Sequence, residues 1–211
     1  MKQQRPFLAI ALLLAASIAA LAKPLSEKQR RAHLLLLQSE DARETRLSPL
    51  DRAYLDAHEL LNHDGACSQF YGGRAAVYVL DELTIRLQAR SLRDPRIGVR
   101  MSGPFTSLGD SEKGISYRLF EKAEINYDGP FYKVLSFSNE SRIPRMGSFG
   151  PSTREVRVLI LLHELAHLMA GPNRKCLIPD DGDNPYLSHE NTKLIESRCG
   201  VQIRGLRGKI S

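Results

Sequence analysis

"LILLHELAHLMAG", residues 159–171, decides how this chain is read. The aliphatic run from Leu159 to Leu162 leads into His163-Glu164-Leu165-Ala166-His167, and apolar or small residues follow. The segment has the composition of a buried helix, where each polar group must find a partner or cost about 1–3 kcal/mol. On a helix, residues four apart share a face about one turn apart. The rings of His163 and His167 can then reach one metal ion at about 2.0–2.1 Å. Glu164 sits too close in sequence to join them easily as a ligand, but it is well placed to hydrogen-bond a water on the metal. This is the His-Glu-x-x-His arrangement of two ligands and a general base. Zinc suits it: the metal lowers the pKa of water to about 7, and the carboxylate takes the proton as that water attacks a carbonyl.

The chain carries its own control. His58 and His63 flank a similar glutamate-bearing stretch but lie five apart. Five residues turn a helix through about 500°, roughly 140° out of alignment, so these two rings cannot share a metal on a regular helix.

A catalytic zinc site needs a third protein ligand. Asp181 is one candidate, in the loop Ile178-Pro179-Asp180-Asp181-Gly182-Asp183; Glu190, early in the final helix, is the alternative, with His189 and Glu196 weaker options. The three aspartates would equally suit a solvated turn or a calcium loop.

Around the motif, the pattern is helical first, mixed later. Ser26 with Gln29 opens a helix over 26–46; Ser48-Pro49 opens a second, stopping near Asp64-Gly65; residues 74–92 make a third, ended by Asp94-Pro95. Residues 95–114 read as loop. Alternation from Ile115 to Ile125, the turn Asp128-Gly129-Pro130 and the return over Phe131–Phe137 predict an antiparallel hairpin. Ser152 and Glu155 make a capping box for the motif helix, which Gly171-Pro172 closes; Ser188 caps a last helix ended by Gly200.

At the N-terminus, Lys2 and Arg5 precede an apolar stretch, Phe7 to Ala19, too short to span a membrane comfortably, and Ala20-Leu21-Ala22 fits small-x-small cleavage. We therefore expect a signal peptide over 1–22, a single domain over 23–211, a secreted or periplasmic location and no stable membrane insertion after cleavage. Of Cys67, Cys176 and Cys199, one pair suits a disulfide in an oxidising compartment, and the sequence does not choose it. A net charge of +6 without Lys/Arg runs or interleaved aromatics argues against nucleic acid as a partner.

His163-Glu164-Leu165-Ala166-His167 is similar to the signature of the zincin metallopeptidases. More narrowly, "HELAHL", "IPDDGDNP" and "LSHENTKLIESRC", with the upstream "CSQFYGG" and "ISYRLFEKAEINYDGPFY", resemble a family of small secreted bacterial proteins regarded as metallopeptidases. The resemblance covers about residues 67–199. It implies an α+β, zincin-like fold, with several helices against a small antiparallel sheet and the metal site on a buried helix. It implies Zn2+ as cofactor, a peptide or protein substrate, and a strand within 115–137 acting as the edge that pairs with substrate backbone. Ala170 and Asn173 depart from the glycine and third histidine of the metzincin extension. Glu190 could mimic the gluzincin third ligand, whereas the narrower resemblance favours Asp181 through its Ile-Pro-x-Asp-Gly loop.

The expected function is a secreted zinc-dependent peptidase, with Glu164 as general base and His163, His167 and Asp181 (or Glu190) on the metal. Tyr186 and His189 are candidates for oxyanion stabilisation. The alternatives are a non-catalytic zinc-binding interaction protein, whose site Cys176 or a further acid would close, and an amidase acting on a non-peptide cell-wall amide. Substrate preference and oligomeric state are not legible.

Overall fold

In a computed structural model the described residues are 26–38, 47–112, 114–135, 142–171 and 175–208. The expected signal peptide over 1–22 lies outside them. Arg154–Leu168 forms a helix (α5) buried on nearly every side, from Val156 through Leu168. A helix apolar all round is stable only at the centre of a domain, and the other elements surround it. They are α1 (Glu27–Leu37), α2 (Pro49–Asn62), α3 (Ala66–Phe70), α4 (Ala75–Arg86), β1 (Leu87–Arg90), β2 (Val99–Asp110), β3 (Ile115–Asn126) and α6 (Pro185–Gly205), followed by a 3-10 turn at Leu206–Gly208. Helices α2, α4 and α6 and strand β3 all pack on α5. The class is α+β, with six helices and one three-stranded sheet among the described residues.

The sheet corrects the expectation of an antiparallel one. Its order is β1-β3-β2, with β1 parallel and β2 antiparallel to β3. Residues 95–114 are not all loop: Val99–Asp110 is a full strand whose partner is β3, so the hairpin turns between Asp110 and Ile115 instead of at Asp128-Gly129-Pro130. The Gly103-Pro104 pair that reads as loop is absorbed by a register shift between Ser102 and Phe105, with Gly103 at φ +82°. Residues 131–135 are not a strand, and the rest of the predicted return, 136–137, lies outside the described residues. The Asn126 side chain accepts from Leu92 N and donates to Asp94 O and Ile97 O, each at 3.0 Å, which winds the chain into turns. Gly129 is required there, because a Cβ would stand 2.3 Å from Ile97 O.

Helix boundaries moved where tertiary contacts took over local groups. The third helix stops at Arg86, and Leu87–Arg90 joins the sheet as β1. Thr153, not Ser152, caps α5, accepting from Val156 N at 3.2 Å; the Ser152 hydroxyl is occupied by Tyr132 O at 2.9 Å. The same helix ends at Leu168, before the predicted Gly171 stop, because Met169 bridges Tyr117 and Ala170 N donates to Ser116 O at 2.9 Å. Asn184, not Ser188, caps α6, its side chain accepting from Tyr186 N and Leu187 N at 3.1 Å; the helix runs through Gly200. The first helix is described to Leu37, and the rest of the predicted span over 39–46 lies outside the described residues.

Two devices tie the helices together. Cys67 of α3 and Cys199 of α6 form a disulfide between fully buried positions, leaving Cys176 free and half-buried. Arg154, at the start of α5, donates to both carboxylate oxygens of buried Asp56 on α2, at 2.7 and 2.6 Å, and to Leu206 O at 3.0 Å. No described helix is long and apolar enough to cross a membrane.

Candidate metal centre

Because α5 is regular through its motif, the rings of His163 and His167 come together. Their Nε2 atoms are 3.1 Å apart and both residues are buried. The loop between α5 and α6 brings Asp181 over them. Its Oδ2 lies 3.1 Å from His163 Nε2 and 3.4 Å from His167 Nε2. The loop is anchored by buried Ile178 and by Asn191 of α6, whose amide donates to Pro179 O at 2.9 Å and reaches Asp181 Oδ2 at 3.4 Å. Gly182, at φ +49°, makes the left-handed turn that follows Asp181.

The three donor atoms form a nearly equilateral triangle. Ligands 2.0–2.1 Å from one tetrahedral centre stand about 3.3 Å apart, so these edges are those of a zinc-sized coordination face. Without a cation, one imidazole must carry its proton on Nε2 to bridge the two nitrogens. The tautomers also fit a metal. Thr192 Oγ1 lies 3.1 Å from His163 Nδ1, where it can accept the ring proton and leave the Nε2 lone pair free. His167 Nδ1 is buried without a hydrogen-bond partner among the described residues.

The electrostatics follow from burial and these contacts. Burial lowers the His163 pKa, against the opposing hydrogen bond to Asp181, and favours the neutral ligand form. Burial alone would raise Asp181, but its hydrogen bonds to His163 and His167 outweigh that and hold the carboxyl far below the usual range. Glu164 is partly exposed, yet the surrounding protein and then the Asp181 charge push its pKa well above the ordinary value.

Other expected residues are elsewhere. Glu190 is exposed and paired with Lys193 at 3.0 Å; His189 is exposed; Glu196 accepts from Ser148 N at 2.9 Å. Tyr186 is 74% exposed. Cys176 bridges Ala170, and no fourth His, Cys, Asp or Glu joins the triangle among the described residues. His58 bonds Asn62 at 3.0 Å and exposed His63 lies 3.7 Å from Glu59, apart from any such cluster. The expected substrate-pairing edge within 115–137 is corrected: β3 is the central strand, flanked by β2 on one side and by β1 and Met169–Ala170 on the other. Sequence reasoning missed Asn191 and Thr192; their one signal is adjacent polar residues at buried positions of α6.

Comparisons with protein-family models, curated proteins and solved structures gave no match for this chain.

Proposed function

We propose that the chain is a zincin-like, secreted zinc hydrolase acting on peptides. The observation that carries this is the triangle of His163 Nε2, His167 Nε2 and Asp181 Oδ2, with edges of 3.1–3.4 Å and no fourth protein donor among the described residues. A structural zinc is closed by four protein ligands, whereas a catalytic one keeps a position open. His163, His167 and Asp181 would hold the metal, which supplies Lewis acidity toward a water and a carbonyl oxygen.

The protein's own part is positioning and proton transfer. Thr192 and Asn191 orient His163 and Asp181 from α6. Glu164 follows His163 directly in the chain, and burial raises its proton affinity, the direction that suits a base that takes a proton from water and hands it to a leaving amine. Apolar neighbours on α5 exclude bulk water from the motif and keep the ligands from reorganising.

Metal analysis of the purified protein should find one zinc per chain. Glu164→Gln should keep zinc and lose hydrolysis, and His163→Ala should lose both. A wild type without stoichiometric metal refutes the proposal. Zinc without turnover on either a peptide library or a cell-wall digest would make the site a binding one, and cleavage of the cell-wall digest alone would make the protein an amidase.

A further inference from the structure

Arg118 lies on β3, a strand that contributes nothing to the triangle, yet its guanidinium reaches both sides of the site. Its Nε donates to the His167 carbonyl oxygen at 2.9 Å. One terminal nitrogen donates to Asp180 Oδ2 at 3.0 Å and the other to Asp180 Oδ1. The planar fork of arginine makes this two-point grip on a carboxylate, which lysine cannot. The guanidinium carbon stands 5.2 Å from the Phe105 ring centre and 5.0 Å from that of Phe120, and the side chain is only 12% exposed. Two rings and three hydrogen bonds therefore fix one cation.

Its partners are the two points from which the triangle is aimed. The His167 carbonyl belongs to the last turn of α5, whose final carbonyls have no partner within the helix. A cation there satisfies the oxygen and the negative helix end together. Asp180 precedes Asp181, so a fixed Asp180 fixes the loop. Asp180 Oδ1 also stands 3.8 Å from His167 Nδ1, the buried ring nitrogen that otherwise has no hydrogen-bond partner among the described residues. A metal-bound histidine donates its second ring N–H to an acceptor, commonly a carboxylate.

We infer that Arg118 is a positioning residue acting through Asp180: it holds that carboxylate against His167 Nδ1 and the Asp181 loop against α5, and so sets the affinity of the centre for its metal. The inference rests on the zinc site proposed above. Its test uses the full chain and zinc titrated against a chromophoric chelator, with the absorption spectrum of the cobalt(II) form as a second readout. Arg118→Met and Asp180→Asn should each weaken zinc binding about 10- to 100-fold and shift the cobalt bands. Arg118→Met made in the Asp180→Asn background should weaken it no further, because both changes break one link. Arg118→Lys should restore only part of the affinity. Melting of the metal-free variants reports folding. If Arg118→Met does not fold, Asp180→Asn carries the test, since Asp180 is 60% exposed. Zinc affinity of Asp180→Asn within about threefold of wild type, or fully additive losses in the double variant, overturns the inference while the zinc site stands. A wild type that binds no zinc overturns both.

Discussion

The Cys67–Cys199 disulfide offers a test of the fold that should leave the proposed metal centre intact. It closes a loop across 132 residues and joins short α3 to the long α6. By chain entropy a loop of that length removes about 17 cal/mol/K from the unfolded state, about 5 kcal/mol at 25 °C. For a domain of this size that is about 10–20 °C in Tm. The perturbation is the double variant Cys67→Ala/Cys199→Ala. Cys199 lies seven residues beyond Thr192 on α6, about 10 Å along the axis. Sites that far apart add within about 0.5 kcal/mol, so zinc affinity should change by about twofold at most. Thermal melting followed by circular dichroism and a zinc competition titration measure the two quantities on the same sample. A Tm loss under about 3 °C would mean that the link constrains nothing the rest of the fold does not already hold. A loss of zinc affinity above about tenfold would mean that the link sets the position of Thr192, against the separation argued here.

Thr192→Val removes the partner of His163 Nδ1 at nearly constant volume, and should weaken zinc binding about 10- to 100-fold with little change in the Tm of the metal-free protein. Arg154→Met leaves the Asp56 carboxylate buried without its cation; urea denaturation should show a loss of about 3 kcal/mol, the low end for a broken buried pair because Arg154 keeps some exposure. Asp81, which accepts from the Tyr54 hydroxyl at 2.7 Å, has its pKa raised by burial. The folded state therefore holds this proton more tightly than the unfolded one, so its contribution is most favourable at acid pH and is lost as pH rises from the ordinary carboxylate value through the raised one. Asp81→Asn should remove that slope, and the difference in Tm between variant and wild type should move in the variant's favour from pH 3 to pH 7.

Part of this protein is written in local sequence. The capping boxes at Ser26 and Ser48 start α1 and α2 where their spacing predicts, because a cap uses only groups within three residues of itself. The four-residue spacing of His163 and His167 brings their rings together on α5 for the same reason: helical periodicity alone sets it. Asp181 and Glu190 were both open to the sequence, since each needed only a chain that doubles back; the fold brings Asp181 to the rings and leaves Glu190 in solvent with Lys193.

What the chain order does not encode is what arrives from far along it. The strand Val99–Asp110 carries glycines and a proline that read as loop, and only its pairing with β3 makes it a strand. Parallel β1, the early end of α5 and the choice of Cys199 for Cys67 likewise depend on contacts between distant segments. Thr192, Asn191 and Arg118 look ordinary in sequence and meet the motif only across elements. Local hydrogen bonding and periodicity thus determined the histidine-bearing turn of α5 and the helix starts. The free energy of burying α5 on all sides, which only the assembled fold supplies, decided everything placed around it.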